Sequence, residues 1–123
     1  MSEDFRQPKL GMRRRVALVA SPDDKRTALA NYLTSAGFSV HQCEHLVSPG
    51  SFSAIVGVQR ADGAFNSLVD EVRSWVKLTK VPRVVVVTSK PNALQKLLST
   101  YHGRLYVLAA PVFGWFLVDA LRA

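Results

Sequence analysis

Short runs of aliphatic and β-branched residues alternate along this chain with stretches in which apolar residues recur every three or four positions. Continuous apolar runs cover Val16 to Ala20, Ala54 to Val58, Val84 to Val87 and Leu105 to Leu108. Such runs are typical of strands buried on both faces of a parallel sheet, whereas the wider spacing is typical of amphipathic helices. The alternation therefore predicts an α/β fold with helices that cross over between parallel strands.

The first crossover carries several helix signals. The segment Ser21-Pro22-Asp23-Asp24 predicts an N-cap at Ser21, with proline and an acidic residue inside the first turn. We expect Asp23 and Asp24 to cap this helix and not to converge on the strand tips. Gly37 predicts the helix end. The spacing predicts an inward face that consists of Leu29, Tyr32, Leu33 and Ala36.

The later connections differ in length. Phe38 to Cys43 alternates between apolar and polar residues, which predicts an edge strand. Only residues 44–53 separate it from the next strand, and they include Pro49 and Gly50, so the second helix is expected to be shortened or missing. In the last helix, predicted from Phe113 to Arg122, Trp115 falls on the solvent side. The inward faces of the last three helices are predicted to be formed by Phe65, Leu68, Val69, Val72, Trp75 and Val76; by Leu94, Leu97, Leu98 and Tyr101; and by Leu117, Ala120 and Leu121.

Length and composition predict one domain at residues 14–123, preceded by a linker or arm at residues 1–13. The formal net charge is +7, but the basic residues are dispersed, which disfavours a nucleic-acid partner. No apolar run reaches the roughly 20 residues needed to cross a bilayer. Cys43 is the single cysteine, which fits a reducing, cytoplasmic compartment. We expect neither a metal nor a cofactor, because His41, His45 and His102 fall on different elements.

The tips of the predicted strands carry almost no chemistry. In open parallel sheets, ligands and reacting groups gather just beyond the carboxyl ends of the strands. Here the chain has Ala20 followed by Ser21, Val58 followed by Gln59, and Ala110 followed by proline. These positions contain no nucleophile and base pair, no glycine-rich phosphate loop and no acid dyad, so the sequence does not predict an enzyme.

Three local features, together with the order of elements, are similar to one known family. They are the turn Ala36-Gly37-Phe38, Thr88 at the end of the fourth strand, and Ala110-Pro111 where that family has lysine and proline. With these features, the body from Arg14 to Arg122 resembles a response-regulator receiver domain. The resemblance implies a flavodoxin-like (CheY-like) doubly wound sheet of five parallel strands in the order 2-1-3-4-5.

The resemblance also implies where a phosphotransfer site would lie. A receiver uses an acid pair after strand one to hold magnesium, a phosphoacceptor aspartate that ends strand three, and a lysine that ends strand five. Of the family's set, only the hydroxyl of Thr88 is retained. The positions of the acid pair, the acceptor and the lysine hold Ala20 and Ser21, Val58 or Gly57, and Ala110. The chain therefore resembles a pseudo-receiver that is not phosphorylated.

Receivers commonly associate through their fourth helix, fifth strand and fifth helix. By resemblance, the candidate interaction surface comprises Lys96, Tyr101, Tyr106, Trp115 and Asp119. A homodimer could form through the same surface. Exposed aromatic residues beside charges are typical anchors of interfaces. Tyr106 also resembles the strand-five aromatic that reorients on activation, although its spacing to Pro111 is one residue longer than in the family.

Two segments resemble parts of hybrid sensor histidine kinases. Pro8 to Arg13 is similar to the linker that follows the ATPase domain, and Leu46 to Phe52 resembles the shortened connection of an inserted, degenerate receiver. We therefore hypothesise that the chain is a regulatory pseudo-receiver. Its expected partners are other domains of the same protein, or a cognate kinase or receiver. The parent protein is one that could be anchored in the inner membrane. Two alternatives stay open. They are a small-ligand sensor at the vacated strand tips, with hydroxyls from Ser21, Thr88 and Ser89, and the degenerate N-terminal receiver of a transcriptional regulator.

Overall fold

A single parallel sheet organises the chain. The computed structural model describes residues 14–46, 52–59, 65–77, 83–101, 103–110 and 114–122. Its strands are β1 (Arg15–Val19), β2 (Ser39–Cys43), β3 (Ala54–Val58), β4 (Arg83–Thr88) and β5 (Leu105–Ala109). The strands lie in the order β2-β1-β3-β4-β5, and every neighbouring pair is parallel. The predicted flavodoxin-like topology, with β2 at an edge, is therefore confirmed.

The described residues form four α-helices, of which three connect strands and the fourth follows β5. They are α1 (Asp24–Ser35), α2 (Phe65–Val76), α3 (Gln95–Thr100), which continues a 3₁₀ turn over Pro91–Leu94, and α4 (Gly114–Arg122). The described residues between β2 and β3 contain no helix, so α3 and α4 correspond to the fourth and fifth helices of receivers. Residues 47–51 and the predicted linker, residues 1–13, lie outside the described residues. None of the described helices is long and apolar enough to cross a lipid bilayer.

Helix α1 begins two residues later than the sequence predicts. Asp23 has an extended backbone, and its carboxylate accepts a hydrogen bond from the backbone N–H of Arg26 at 3.0 Å. Asp23 is therefore the N-cap, and the expectation of an N-cap at Ser21 is wrong. Both residue types can cap a helix, but the cap falls where the side chain reaches the third N–H of the helix, which only the backbone path decides.

Two hydrophobic cores lie on opposite faces of the sheet. On one face, α2 packs Leu68, Val72 and Trp75 against the sheet. On the other, α1 and α4 contribute Leu33 and Leu117. The predicted inward faces of α2 and α4 are confirmed for their described side chains. The most deeply buried apolar strand residues are Val16, Ala17, Leu18, Ile55, Val56, Val84, Val85 and Val86.

The predicted inward face of α1 is wrong at Tyr32. Leu33 is fully buried, but 45% of Tyr32 is exposed, and Ala30 takes the adjoining buried position. Tyr32 lies across the start of α4, where its ring atoms come within 2.7 Å of the position that a Cβ on Gly114 would occupy. The glycine therefore makes room for an aromatic ring between two helices on the protein surface.

Arginine side chains close the carbonyl ends of several elements. Arg14 and Arg83 each donate to the carbonyl of Leu121 in the last turn of α4, at 3.0 and 2.8 Å. Arg104 donates to the carbonyl of Val76 at the end of α2, at 2.7 Å. Carbonyls at a helix C-terminus lack intrahelical partners and carry partial negative charge, which guanidinium groups stabilise. Much of the positive charge therefore has a structural role in this fold.

Candidate functional site

A cleft of about 390 Å³ lies at the carboxyl ends of the strands. The candidate site predicted from the sequence lies at this cleft. The fold brings its residues together from the ends of three separate strands. Ala20 and Ser21 enter from β1, Val58 from β3 and Ala110 from β5. The remaining described residues that line the cleft are Asp23, Lys25, Arg26, Leu29, Gln59 and Ser89.

Thr88 lies at the same end of the sheet but does not line the cleft. Its side chain is fully buried, and its hydroxyl donates to Oε1 of Gln59 at 2.5 Å. The same hydroxyl oxygen accepts the backbone N–H of Lys90 at 3.0 Å. The Thr88 hydroxyl is thus committed to holding the tip of β4, and the expectation that it is offered to a ligand is wrong.

Gln59 ties the tips of β3 and β4 together. Its side-chain oxygen Oε1 also accepts the backbone N–H of Ser89 at 2.9 Å and the hydroxyl of Ser89 at 3.2 Å. With Thr88, three donors converge on this one oxygen. The amide orientation follows directly, because a backbone N–H can only donate. The Nε2 donors of Gln59 therefore stay unused among the described residues, beside the cleft.

Two cations from the first turn of α1 line the other wall of the cleft. Arg26 donates through Nη1 to the carbonyl of Ala20, the residue after β1, at 3.2 Å. The Nε of the same guanidinium is buried and has no hydrogen-bond partner among the described residues. Lys25 is exposed and also lines the cleft. A guanidinium therefore reaches the strand tip at which a receiver would place its acid pair.

The carboxylates needed for a magnesium ion are not assembled around the cleft in the part of the chain that the structure describes. Asp23 is the one acidic residue among the described lining residues, and its Oδ1 already accepts the N–H of Arg26. Within the same described ranges, no group of three or more His, Cys, Asp or Glu residues could hold a metal ion. Magnesium prefers several oxygen ligands, usually with more than one carboxylate or phosphate.

Cys43 ends β2 next to this region. The backbone N–H of Ala20 donates to the Cys43 carbonyl at 3.0 Å. Burial raises the pKa of the Cys43 thiol, the positive charge of Arg26 opposes that rise, and the negative charge of Glu71 adds to it. The thiol is therefore mainly protonated at neutral pH and is a weak nucleophile.

A second feature is a groove of about 730 Å³ between α1 and α4. Trp115 and Asp119 line its α4 side, and Tyr32 lines its α1 side. As predicted, Trp115 is exposed, at 51%, and its ring stacks on Phe116 with ring centroids 3.8 Å apart. We call this set, Tyr32, Trp115, Phe116 and Asp119, the aromatic groove.

The other members of the predicted interaction surface lie elsewhere. Lys96 is exposed on α3, and Tyr101 packs partly buried against the α2 face of the sheet. Tyr106 packs against the opposite face, with the guanidinium of Arg83 5.1 Å from its ring centroid. The structure thus divides the predicted surface between two faces of the protein.

The register of β5 also separates Tyr106 from Thr88. Tyr106 pairs with Val85, whereas Thr88 pairs with Ala109. Because side chains alternate along a strand, Thr88 points to the same face as Val86, and Tyr106 points to the opposite face with Val85. Tyr106 therefore does not share a face with Thr88.

The sequence analysis missed four residues of these two surfaces. Gln59 and Arg26 carry the polar contacts of the cleft, while Tyr32 and Phe116 extend the aromatic groove. Gln59 could have been found because it directly follows a strand tip. The other three could not, because helical spacing is compatible with both an inward and a flanking position.

No protein-family model matches the sequence, and no curated protein matches it significantly. Solved structures do match. A response regulator CheY-like protein from Mesorhizobium loti has a TM-score of 0.62 and 18% identity, over 89% of this chain and 97% of that one. An adenylate cyclase from Rhodopirellula baltica has a TM-score of 0.62 and 17% identity, over 90% of this chain and 86% of that one. The chain therefore has the fold of CheY-like receiver domains.

Proposed function

We propose that this chain is a receiver-like regulatory module that does not accept a phosphoryl group and acts through contacts with other signalling domains. The observation that carries the proposal is the make-up of the cleft. Ala20, Ser21, Val58 and Ala110 converge there, at the positions where the receiver chemistry needs two acids, an acceptor and a lysine. A carboxylate accepts phosphoryl only where a hard cation and an ammonium group offset the developing charge.

The charge of the cleft supports the same proposal. Arg26 and Lys25 both line the cleft, and two positive side chains repel a divalent cation. Regulation would rest on a fixed conformation or on one biased by a bound molecule.

The aromatic groove supports a role in domain contacts. Tyr32, Trp115 and Phe116 are each about half exposed, although they are large apolar side chains. Aromatic residues of this kind, beside a charge such as that of Asp119, dominate the energetics of many interfaces. We propose a domain of the same two-component protein, such as the kinase core or an intact receiver of a hybrid sensor kinase, as the partner.

The experiment that tests the lack of phosphotransfer is incubation with acetyl phosphate and magnesium, followed by intact-mass measurement. We expect no phosphoryl adduct on the wild-type chain, while a receiver with an intact acid set, run in parallel, gains one. The variant Val58→Asp restores only the acceptor and is also expected to stay unmodified. A stable adduct on an aspartate of the wild-type chain would overturn the proposal.

Small-ligand sensing is the second candidate function. It is favoured by the volume of the cleft, about 390 Å³, which lies within the range of small-molecule sites. Its position also agrees with the general location of ligands in open α/β sheets. Ser21 and Ser89 contribute hydroxyl groups to this cleft, but Thr88 does not.

A further inference from the structure

Among the described residues that line the cleft, Lys25, Arg26 and the amide N–H groups of Gln59 are donors, and Asp23 is the single carboxylate. Lys25 and Arg26 can only donate, and Ser21 and Ser89 add hydroxyl groups. The acceptor of Gln59 is saturated by three donors, so its amide N–H groups are the part left for a ligand. A cleft lined by two cations and by free amide donors, with one carboxylate among its described residues, is suited to an anion.

The charge of the cleft points in the same direction. Among the described residues that line the cleft, one carboxylate, that of Asp23, accompanies Lys25 and Arg26, and its Oδ1 is occupied by the helix cap. The ammonium group of Lys25 makes no hydrogen bond or ion pair with the residues that the structure describes. A cation partly withdrawn from water is costly to hold unless an anion compensates it, and the partnerless Nε of Arg26 is such a case.

The positions of these donors are fixed before a ligand arrives. Arg26 is tethered to the carbonyl of Ala20 through Nη1. Gln59 is tethered to β4 through Thr88 and Ser89. Such anchoring reduces the conformational entropy that binding would otherwise cost. The cleft is also larger than a single phosphate ion requires, so it has space for the rest of a small organic molecule.

We propose that this cleft binds the oxyanion group of a phosphorylated or carboxylated small molecule, held by Arg26, Lys25 and the amide of Gln59. The binding is non-covalent, and no group is transferred. The charge preference is the reverse of that of a receiver, whose cleft binds a divalent cation. This inference goes beyond the proposed regulatory function and does not depend on the identity of any partner domain.

The test is a titration of the ¹⁵N-labelled chain with inorganic phosphate, pyrophosphate and citrate at constant ionic strength. We expect saturable shifts of the amides of Ser21, Arg26, Gln59 and Ser89 with at least one of them. Saturation by the phosphates alone would assign a phosphoryl ligand, and saturation by citrate alone a carboxylate ligand. No saturable shift up to about 10 mM of any of the three, which corresponds to negligible affinity, would overturn the proposal.

Two variants make the assignment specific. Gln59→Glu keeps an oxygen for the donors of Thr88 and Ser89 but replaces the amide donors by a negative charge, so we expect at least about tenfold weaker binding. Lys96→Gln removes an exposed cation on α3, outside the cleft, and is expected to leave the affinity unchanged. Equal weakening by both variants would reveal a non-specific charge effect and contradict the site. Arg26→Gln, with thermal unfolding as the check on folding, is expected to weaken binding as strongly as Gln59→Glu.

Discussion

Gly57 is the residue of β3 that lets Trp75 pack directly against the sheet. A Cβ at this position would lie 2.7 Å from Cζ3 and 3.1 Å from Cη2 of that indole ring. Trp75 itself is buried in the core beneath α2. A methyl group therefore cannot be added to the strand without moving a large ring or the helix that carries it.

We predict that Gly57→Ala destabilises the fold by about 1–3 kcal/mol, which is the usual cost of overpacking a core. Urea denaturation measures it. In a background that carries Trp75→Phe, the smaller ring leaves more space, so the same glycine substitution should cost less. Strict additivity of the two changes would show that Gly57 and Trp75 are not coupled.

The second residue-scale prediction concerns Cys43. Because burial raises its pKa above the ordinary value of 9.0, the native thiol keeps its proton at pH values where the unfolded chain has lost it. The resulting stability is fully present below pH 9.0 and is lost as pH rises through the native pKa. Replacement by alanine removes this linkage.

We therefore expect the free energy of unfolding of the wild-type chain to fall more steeply above this pH than that of Cys43→Ala. Alkylation by iodoacetamide at neutral pH should also be slower for the native chain than for the chain in urea. Equal alkylation rates in the two states, with identical pH profiles of the two proteins, would contradict the direction of the pKa shift.

At the scale of elements, the start of α1 combines a structural cap with the wall of the cleft. Asp23 satisfies the N–H of Arg26, and that same residue extends its guanidinium to the end of β1. The cap therefore sets the direction in which Arg26 leaves the helix. Loss of the cap should therefore lower the stability of the fold and also change the geometry of the cleft.

We predict that Asp23→Ala costs about 1 kcal/mol of stability, which is typical of a lost N-cap. Ser21→Ala is the matched control, because Ser21 is also a potential cap by residue type but is not the cap in the structure. Its effect should stay within about 0.5 kcal/mol. Denaturant midpoints of the two variants measure the difference. A larger loss of stability for Ser21→Ala than for Asp23→Ala would show that Ser21 is the N-cap.

At the scale of the whole molecule, the two ends of the sheet and the aromatic groove have different chemistry. The carboxyl ends of the strands present the donor-rich cleft, and arginines such as Arg14 and Arg83 bond to a helix carbonyl at the opposite end. The groove runs between α1 and α4, beside the sheet. A partner domain can therefore contact Trp115 while the cleft stays open to a small molecule.

From the proposed function we predict that Trp115→Ala changes the activity of the kinase or receiver domain proposed as its partner, with little effect on stability because half of Trp115 is exposed. The rate of kinase autophosphorylation measures it. Ser74→Ala, an exposed position on α2, is the control that should leave the rate unchanged. Equal rates for wild type and Trp115→Ala would contradict a contact through this groove. Light scattering tests the predicted homodimer. If it forms through this groove, Trp115→Ala is expected to dissociate it.

Whereas the strand order came from the resemblance to receiver domains, the sequence by itself determined the fold class and the inward faces of α2 and α4. It could do so because apolar periodicity reflects burial directly: a run such as Val84 to Val87 is stable only between two layers of helices. It also determined which positions come together at the strand tips, since parallel strands end at one edge. Ala20, Val58 and Ala110 accordingly line one cleft.

Only the tertiary structure decided how the side chains around those positions are oriented. Ser21 and Asp23 both suit an N-cap, and Tyr32 suits a core or a flanking position, so local sequence leaves each choice open. The assignments depend on distances between segments far apart in the chain, such as Gln59 to Thr88. Hydrogen bonding and close packing act over a few ångströms in space, and sequence patterns describe only neighbours along the chain.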